Sequence, residues 1–151
     1  MIFFMKKKIL NFINKFLESK IDILKQELNS LHKDKNEIIK SSAGDKFETG
    51  RSLIQIEIDK LDNQYLQLKK EIHSVNQIIL EKKENICGFG NIVETKKAMY
   101  YLGIGLGKHV IDKKEVMLIS LSSPVGQLLN GRKVGDNFIF NGREDTITKI
   151  I

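Results

Sequence analysis

Residues 17–38 read LESKIDILKQELNSLHKDKNEI, and residues 54–75 read IQIEIDKLDNQYLQLKKEIHSV. In the first stretch apolar residues fall at Leu17, Ile21, Leu24, Leu28, Leu31 and Ile38, with Lys35 as the single break. In the second they fall at Ile54, Ile58, Leu61, Tyr65, Leu68, Ile72 and Val75, and the ladder continues to Ile79. The steps alternate four and three, the signature of helices packed along an apolar seam as a coiled coil. Lys35 can lay its aliphatic stem along that seam while its ammonium reaches water. The two ladders also share a register. The indices of Ile38 and Ile54, Leu31 and Leu61, Leu24 and Leu68, and Leu17 and Val75 each sum to 92, while Leu28 with Tyr65 and Ile21 with Ile72 give 93. Two unrelated helices have no reason to keep a constant sum, whereas one antiparallel hairpin requires it. Its arms are expected to run roughly 35 residues, or about 50 Å.

The reversal falls in Ser41-Ser42-Ala43-Gly44-Asp45. Gly44 suits the left-handed conformation that ends a helix, and Asp45 stands where an N-cap belongs. Beyond the hairpin the chain changes character. Residues 1–84 hold only Gly44 and Gly50, residues 85–151 hold the other nine glycines, and the sole proline is Pro124. The expected division is therefore a hairpin over 1–84 and a small β domain over 85–151. In the second part, strands are expected at roughly 89–95, 98–106, 115–121, 137–141 and 144–150, with Asn141-Gly142 as a tight hairpin turn. Ser123 as N-cap, Pro124 in the first turn and Gly131 as the stop frame one short helix. The fold class is α+β.

Composition narrows the function. One cysteine, Cys87, excludes a disulfide framework and a cysteine-based zinc site, and fits a reducing, cytoplasmic compartment. His32, His73 and His109 lack metal-ligand spacing. The net charge of +6 divides evenly: 16 Lys/Arg against 13 Asp/Glu before residue 85, and 9 against 6 after it. An excess spread this thinly speaks for solubility more than for a nucleic-acid footprint. At the N-terminus, Met1-Ile2-Phe3-Phe4-Met5 precedes Lys6-Lys7-Lys8, the reverse of a signal peptide, and is too short to span a bilayer. A greasy helix end resting on the second domain or on a partner accounts for it, and no membrane role is expected.

Two motifs look chemical but read better as structure. Gly103-Ile104-Gly105-Leu106-Gly107-Lys108 has three residues between Gly103 and Gly107 where a phosphate loop has four, and His109 follows the lysine in place of Ser or Thr. A Gly-rich strand is the expectation there. Cys87 has no base near it in sequence and reads as an inert thiol. Asp45 and Glu48 are the pair with two accounts. Capping alone explains both, since Glu48 three residues after Asp45 completes a variant capping box. Both also sit at the apex of the hairpin, where two carboxylates on one turn offer oxygen ligands to a hard cation such as Mg²⁺, provided another protein completes the shell.

Taken together, Gly44-Asp45-Lys46-Phe47-Glu48 at a hairpin tip and the stretch from Ile119 through Ser123-Pro124-Val125-Gly126, Leu128-Leu129 and Gly131-Arg132-Lys133-Val134-Gly135-Asp136 resemble the bacterial Gre transcript-cleavage factors. The resemblance spans essentially the whole chain. It implies an FKBP-like second domain that docks on RNA polymerase near the secondary channel, with Ser123, Pro124, Gly126, Leu129, Gly131 and Lys133 in the partner-binding segment. It further implies that Asp45 and Glu48 help hold Mg²⁺ jointly with the polymerase, whose own active site then cleaves the transcript, so that the chain is not an enzyme by itself. Contact with nascent RNA or DNA goes with that setting. The family's tip continues Asn-Ala-Glu-Tyr after the glutamate, whereas Thr49-Gly50-Arg51-Ser52 follows here. Gly50 and Arg51 alter the stiffness and charge of that turn, which leaves open a non-cleaving regulator of the same channel. A generic coiled-coil interaction or nucleic-acid-binding module is the third class. The hairpin closes its own seam, so a monomer is expected.

Overall fold

The computed structural model describes residues 2–41, 45–78 and 85–151; the side chains of residues 2, 3, 41 and 45–47 also lie outside the description. Two long helices, α1 (Ile2–Ser41) and α2 (Asp45–Asn76), precede six strands: β1 (Ile92–Thr95), β2 (Met99–Gly103), β3 (Gly107–Ile111), β4 (Lys114–Ser120), β5 (Asn137–Phe140) and β6 (Arg143–Ile150). A short helix, α3 (Pro124–Leu129), lies between β4 and β5. The α+β architecture read from the sequence is the one observed. Contacts group Ile13–Ser74 into one compact unit and Met1–Phe12 with Val75–Ile151 into another. The composition boundary at residues 84 and 85 falls where residues 79–84 are outside the description, as does Ile79 at the end of the second ladder.

In the helical unit the expected seam forms. Leu24, Leu28, Ile58 and Leu61 make a buried cluster, and Leu31, Ile54, Tyr65 and Leu68 pack around it. Three of the pairs with index sums of 92 or 93 lie within it: Leu31 with Leu61, Leu24 with Leu68, and Leu28 with Tyr65. Nearer the reversal, a Cβ on Gly50 would lie 4.0 Å from Ile38 Cδ1, so the helices remain side by side there. Lys35 departs from expectation. Its ammonium does not reach out to water alone but donates to Gln55 Oε1 at 2.5 Å across the seam. Gln55 in turn donates to Asp59 Oδ1 at 2.6 Å. A half-buried cation does better with an oxygen acceptor within reach than beside apolar neighbours only.

In the second unit the strands form one sheet in the order β3-β4-β2-β1-β6-β5. Only the β2–β4 pair is parallel. One face carries Val93, Leu102, Ile119 and Ile147, closed by Val125 and Leu129 of α3 together with Cys87 and Phe138. On the other face Ile92 stands opposite Tyr101, and Tyr101 opposite Leu118, all fully buried. His109 stands opposite Val116 on the same face. The first residues of α1 lie here: the Phe12 ring is 4.9 Å from His109, and Lys8 Nζ is 2.7 Å from Asp112 Oδ2. Ile9, between them, is fully buried. The stretch from Lys8 to Phe12 therefore belongs to the β unit. Buried Asp145 joins the β1–β2 turn to β6, accepting from Thr95 Oγ1 at 2.6 Å and from Thr146 N at 2.8 Å.

Two expectations about strands require correction. The expected strand 98–106 stops at Gly103, and the Gly-rich run is the connection between β2 and β3. β4 lies between these two strands, parallel to β2 and antiparallel to β3, so the chain must turn back over residues 104–106. Gly107 enters β3 at φ +83°, a conformation that suits glycine. β3 itself was not expected. It pairs with β4 through a two-residue turn in which Asp112 and Lys113 both have positive φ, 53° and 65°. The Asn141-Gly142 turn between β5 and β6 has the same geometry, φ 51° and 73°, and was legible because its residues are the favoured ones.

Candidate functional site

The hairpin apex is built by the reversal between Ser41, the last residue of α1, and Asp45, the first of α2. Ser42, Ala43 and Gly44, including the expected helix stop, lie outside the described residues, as does the Asp45 side chain. Asp45 is the first residue of α2, one place inside the N-cap position expected for it, and Glu48 follows one turn later with its side chain exposed. Unpaired backbone N–H groups give a helix start a partial positive charge, so carboxylates are favoured in this turn. Arg51, three residues after Glu48, is half-buried and engaged in contacts of its own.

The apex therefore carries acidic groups on the first turn of a long helix. No cluster of three or more His, Cys, Asp or Glu suited to a metal occurs among the described residues. Asp45 and Glu48 supply at most a part of the six oxygen ligands that Mg²⁺ requires.

The second candidate segment, residues 119–136, resolves into residues that shape the turn and residues that face outward. Ser123 caps α3, with its hydroxyl accepting from Gly126 N at 3.1 Å and donating to Ser120 O at 2.7 Å. A Cβ on Gly126 would stand 2.1 Å from Ser120 O, so no other residue fits without moving the backbone. Leu129 is fully buried against the sheet. Gly131, at φ +82°, turns the chain out of the helix and donates from its N–H to Cys87 O at 2.8 Å. Arg132 ties α3 to β5, donating through Nε to Leu128 O and through Nη1 to Asn137 O at 2.5 and 2.8 Å. Asp136 closes the following turn by accepting from Lys133 N at 2.8 Å.

Of the six residues expected to bind a partner, Ser123, Gly126, Leu129 and Gly131 thus build the turn. Only Pro124 and Lys133 present exposed side chains. The sequence reading missed the apolar surface beside Lys133. Val134 is 55% exposed, and Ile86, which bridges to Lys133, is 46% exposed. An apolar residue inside a Gly-Arg-Lys-Val-Gly turn, where solvent exposure is the rule, is the signal that marks it.

Cys87 sits beneath this segment, 1% exposed, with its N–H donating to Arg132 O at 2.7 Å. Burial, then the Asp136 carboxylate, push its thiol up to about 11, only partly offset by a backbone hydrogen bond and by Arg132. A thiol so held is no nucleophile at neutral pH.

No protein-family model matches the chain. No curated protein matches it either. Among solved structures, one described as the transcription factor Gfh1 aligns at 21% identity and a TM-score of 0.36, over 91% of this chain and 92% of that one. No described helix is long and apolar enough to cross a membrane.

Proposed function

We propose that the chain is a transcription elongation factor that binds RNA polymerase at its secondary channel and stimulates transcript cleavage by the polymerase's own active site. The observation that carries this reading is the coincidence of an acidic pair with a hairpin apex. The helix that returns from the reversal begins at Asp45, and Glu48 is exposed one turn on. The Gly-Asp-x-x-Glu pattern and the Ser-Pro-Val-Gly to Val-Gly-Asp segment support it in sequence. In this reading Asp45 and Glu48 hold Mg²⁺ jointly with the polymerase, and Pro124 and Lys133 belong to the docking face. The metal supplies Lewis-acid activation of water and of the scissile phosphate. The chain's own residues contribute charge and position and have no catalytic activity without the polymerase.

Addition of the purified protein to stalled, backtracked polymerase complexes is expected to shorten the transcripts, and Asp45→Ala or Glu48→Ala to abolish the effect. A second reading, a regulator that occupies the channel without cleavage, is favoured by Gly50 and Arg51, which place a helix-weakening residue and a guanidinium beside the acidic turn. Binding to core polymerase without shortening selects that reading. Failure to co-purify with core polymerase removes both and leaves an interaction module of another kind.

A further inference from the structure

Alongside the closed seam, the helical unit has an open flank. A shallow groove of about 560 Å³ runs between α1 and α2, floored by Leu24 and Leu68 and walled on the α1 side by Lys20, Ile23 and Glu27. Ile23 is 54% exposed although it is a large aliphatic residue in the middle of a helix. It does not stand alone. Phe16, Lys20, Ile23, Glu27 and Ser30 follow one another in steps of four, three, four and three, a second heptad ladder beside the one that closes the hairpin. The Lys20 ammonium lies 5.0 Å from the centre of the Phe16 ring, within the same stripe.

The order of residue types along this ladder is self-complementary. Reversal about Ile23 sets Lys20 against Glu27, Glu27 against Lys20, and the Phe16 ring against small Ser30. A two-fold axis through a pair of identical helices performs this reversal, and an isologous interface requires it. With Lys20 three residues before Ile23 and Glu27 four after it, the facing indices sum to 47 for the charged pair and to 46 for Ile23 with itself and for Phe16 with Ser30, the same alternation by one that the hairpin seam shows.

We propose that this flank is a self-association face, on which a second copy of the chain lays its α1 antiparallel, Ile23 on Ile23, with Lys20 of each copy on Glu27 of the other. The hairpin's own seam stays intact, since Leu24 and Leu68 only floor the groove and keep their places in the closed cluster. The inference is independent of the polymerase reading. If both hold, the paired form carries its hairpins side by side and only the single form has a free rod.

Sedimentation equilibrium of the full chain, from micromolar to millimolar concentration, tests the proposal. The weight-average mass is expected to rise from the 17.3 kDa of one chain towards twice that value. Lys20→Glu places like charges at both symmetry-related contacts and is expected to weaken the dimer by roughly tenfold or more. Glu27→Lys is expected to do the same, and the double variant Lys20→Glu with Glu27→Lys to restore association. Unchanged helicity by circular dichroism shows that each variant folds. A mass that stays at 17.3 kDa throughout overturns the proposal. So does a dimer indifferent to Lys20→Glu, or a double variant no better than the single ones. Transcript cleavage is not read in this experiment, so its outcome and that of the polymerase assay are separable.

Discussion

At the scale of single residues, the segment around α3 shows how a recognisable motif divides into scaffold and surface. Gly126→Ala adds a methyl group where Ser120 O stands 2.1 Å away, and the backbone must shift. A loss of about 1–3 kcal/mol is expected, in the range of overpacked sites, and thermal unfolding would measure it. The sequence marked Ser123, Pro124 and Gly131 as cap, first turn and stop, because capping is local chemistry that three or four residues decide. It did not mark Gly126 as sterically obligatory, because the clash is with a carbonyl at the end of another element. Cys87 carries a pH signature. Its thiol is held at about 11 against an ordinary 9.0, so the folded chain keeps a proton that the unfolded chain releases between these values. Stability present below pH 9 is therefore expected to fall as the pH rises towards 11. Denaturant melts of the parent and of Cys87→Ala across that window should diverge, the variant lacking this component.

Among elements, the hairpin was the most legible and β3 the least. A seam of twelve paired positions whose index sums are all 92 or 93 is redundant, so a single exception such as Lys35 does not obscure it. β3 has five residues, Gly107–Ile111, of which Val110 faces outward and His109 is only half-buried, leaving no clean alternation. Its turn is also poorly signalled. Asp112 and Lys113 both occupy positive φ, where Asn-Gly is preferred and a side chain beyond Cβ is costly. Lys113→Gly is expected to stabilise the protein by about 0.5–1 kcal/mol, read as a rise in melting temperature. In the hairpin, Leu28 is 9% exposed within the central cluster, and Leu28→Ala is expected to cost about 2–3 kcal/mol, near the low end for core leucines because a two-helix seam is partly open to solvent.

At the scale of the whole molecule, contacts group Met1–Phe12 with Val75–Ile151, a joining of distant stretches that follows from proximity of apolar surface and not from composition. The sheet of the second unit has two apolar faces. One is closed by α3 within the same stretch of sequence, whereas contacts to the other come from Lys8 and Phe12 at the far end of the chain. Such a long-range closure leaves no local trace in the sequence. A fragment of residues 85–151 lacks the Lys8 and Phe12 contacts, and it is expected to be less stable than the same strands in the full chain. Loss of amide dispersion, or aggregation, of the fragment against a dispersed spectrum of the intact protein checks this. By contrast, the start of α2 at Asp45 is local and readable, since an acidic residue after Gly44 is what a helix start favours.

The closure of the sheet by Lys8 and Phe12 also sets a timetable. During synthesis these residues leave the ribosome about 100 residues ahead of the Asp112 and His109 that meet them, a wait of roughly 5–20 s at ordinary elongation rates. The intervening hairpin, built from local pairings, folds far faster than that. For that interval the nascent chain consists of a finished rod with an uncovered apolar end, and Ile9 is a place where a holdase is expected to bind before the strands arrive.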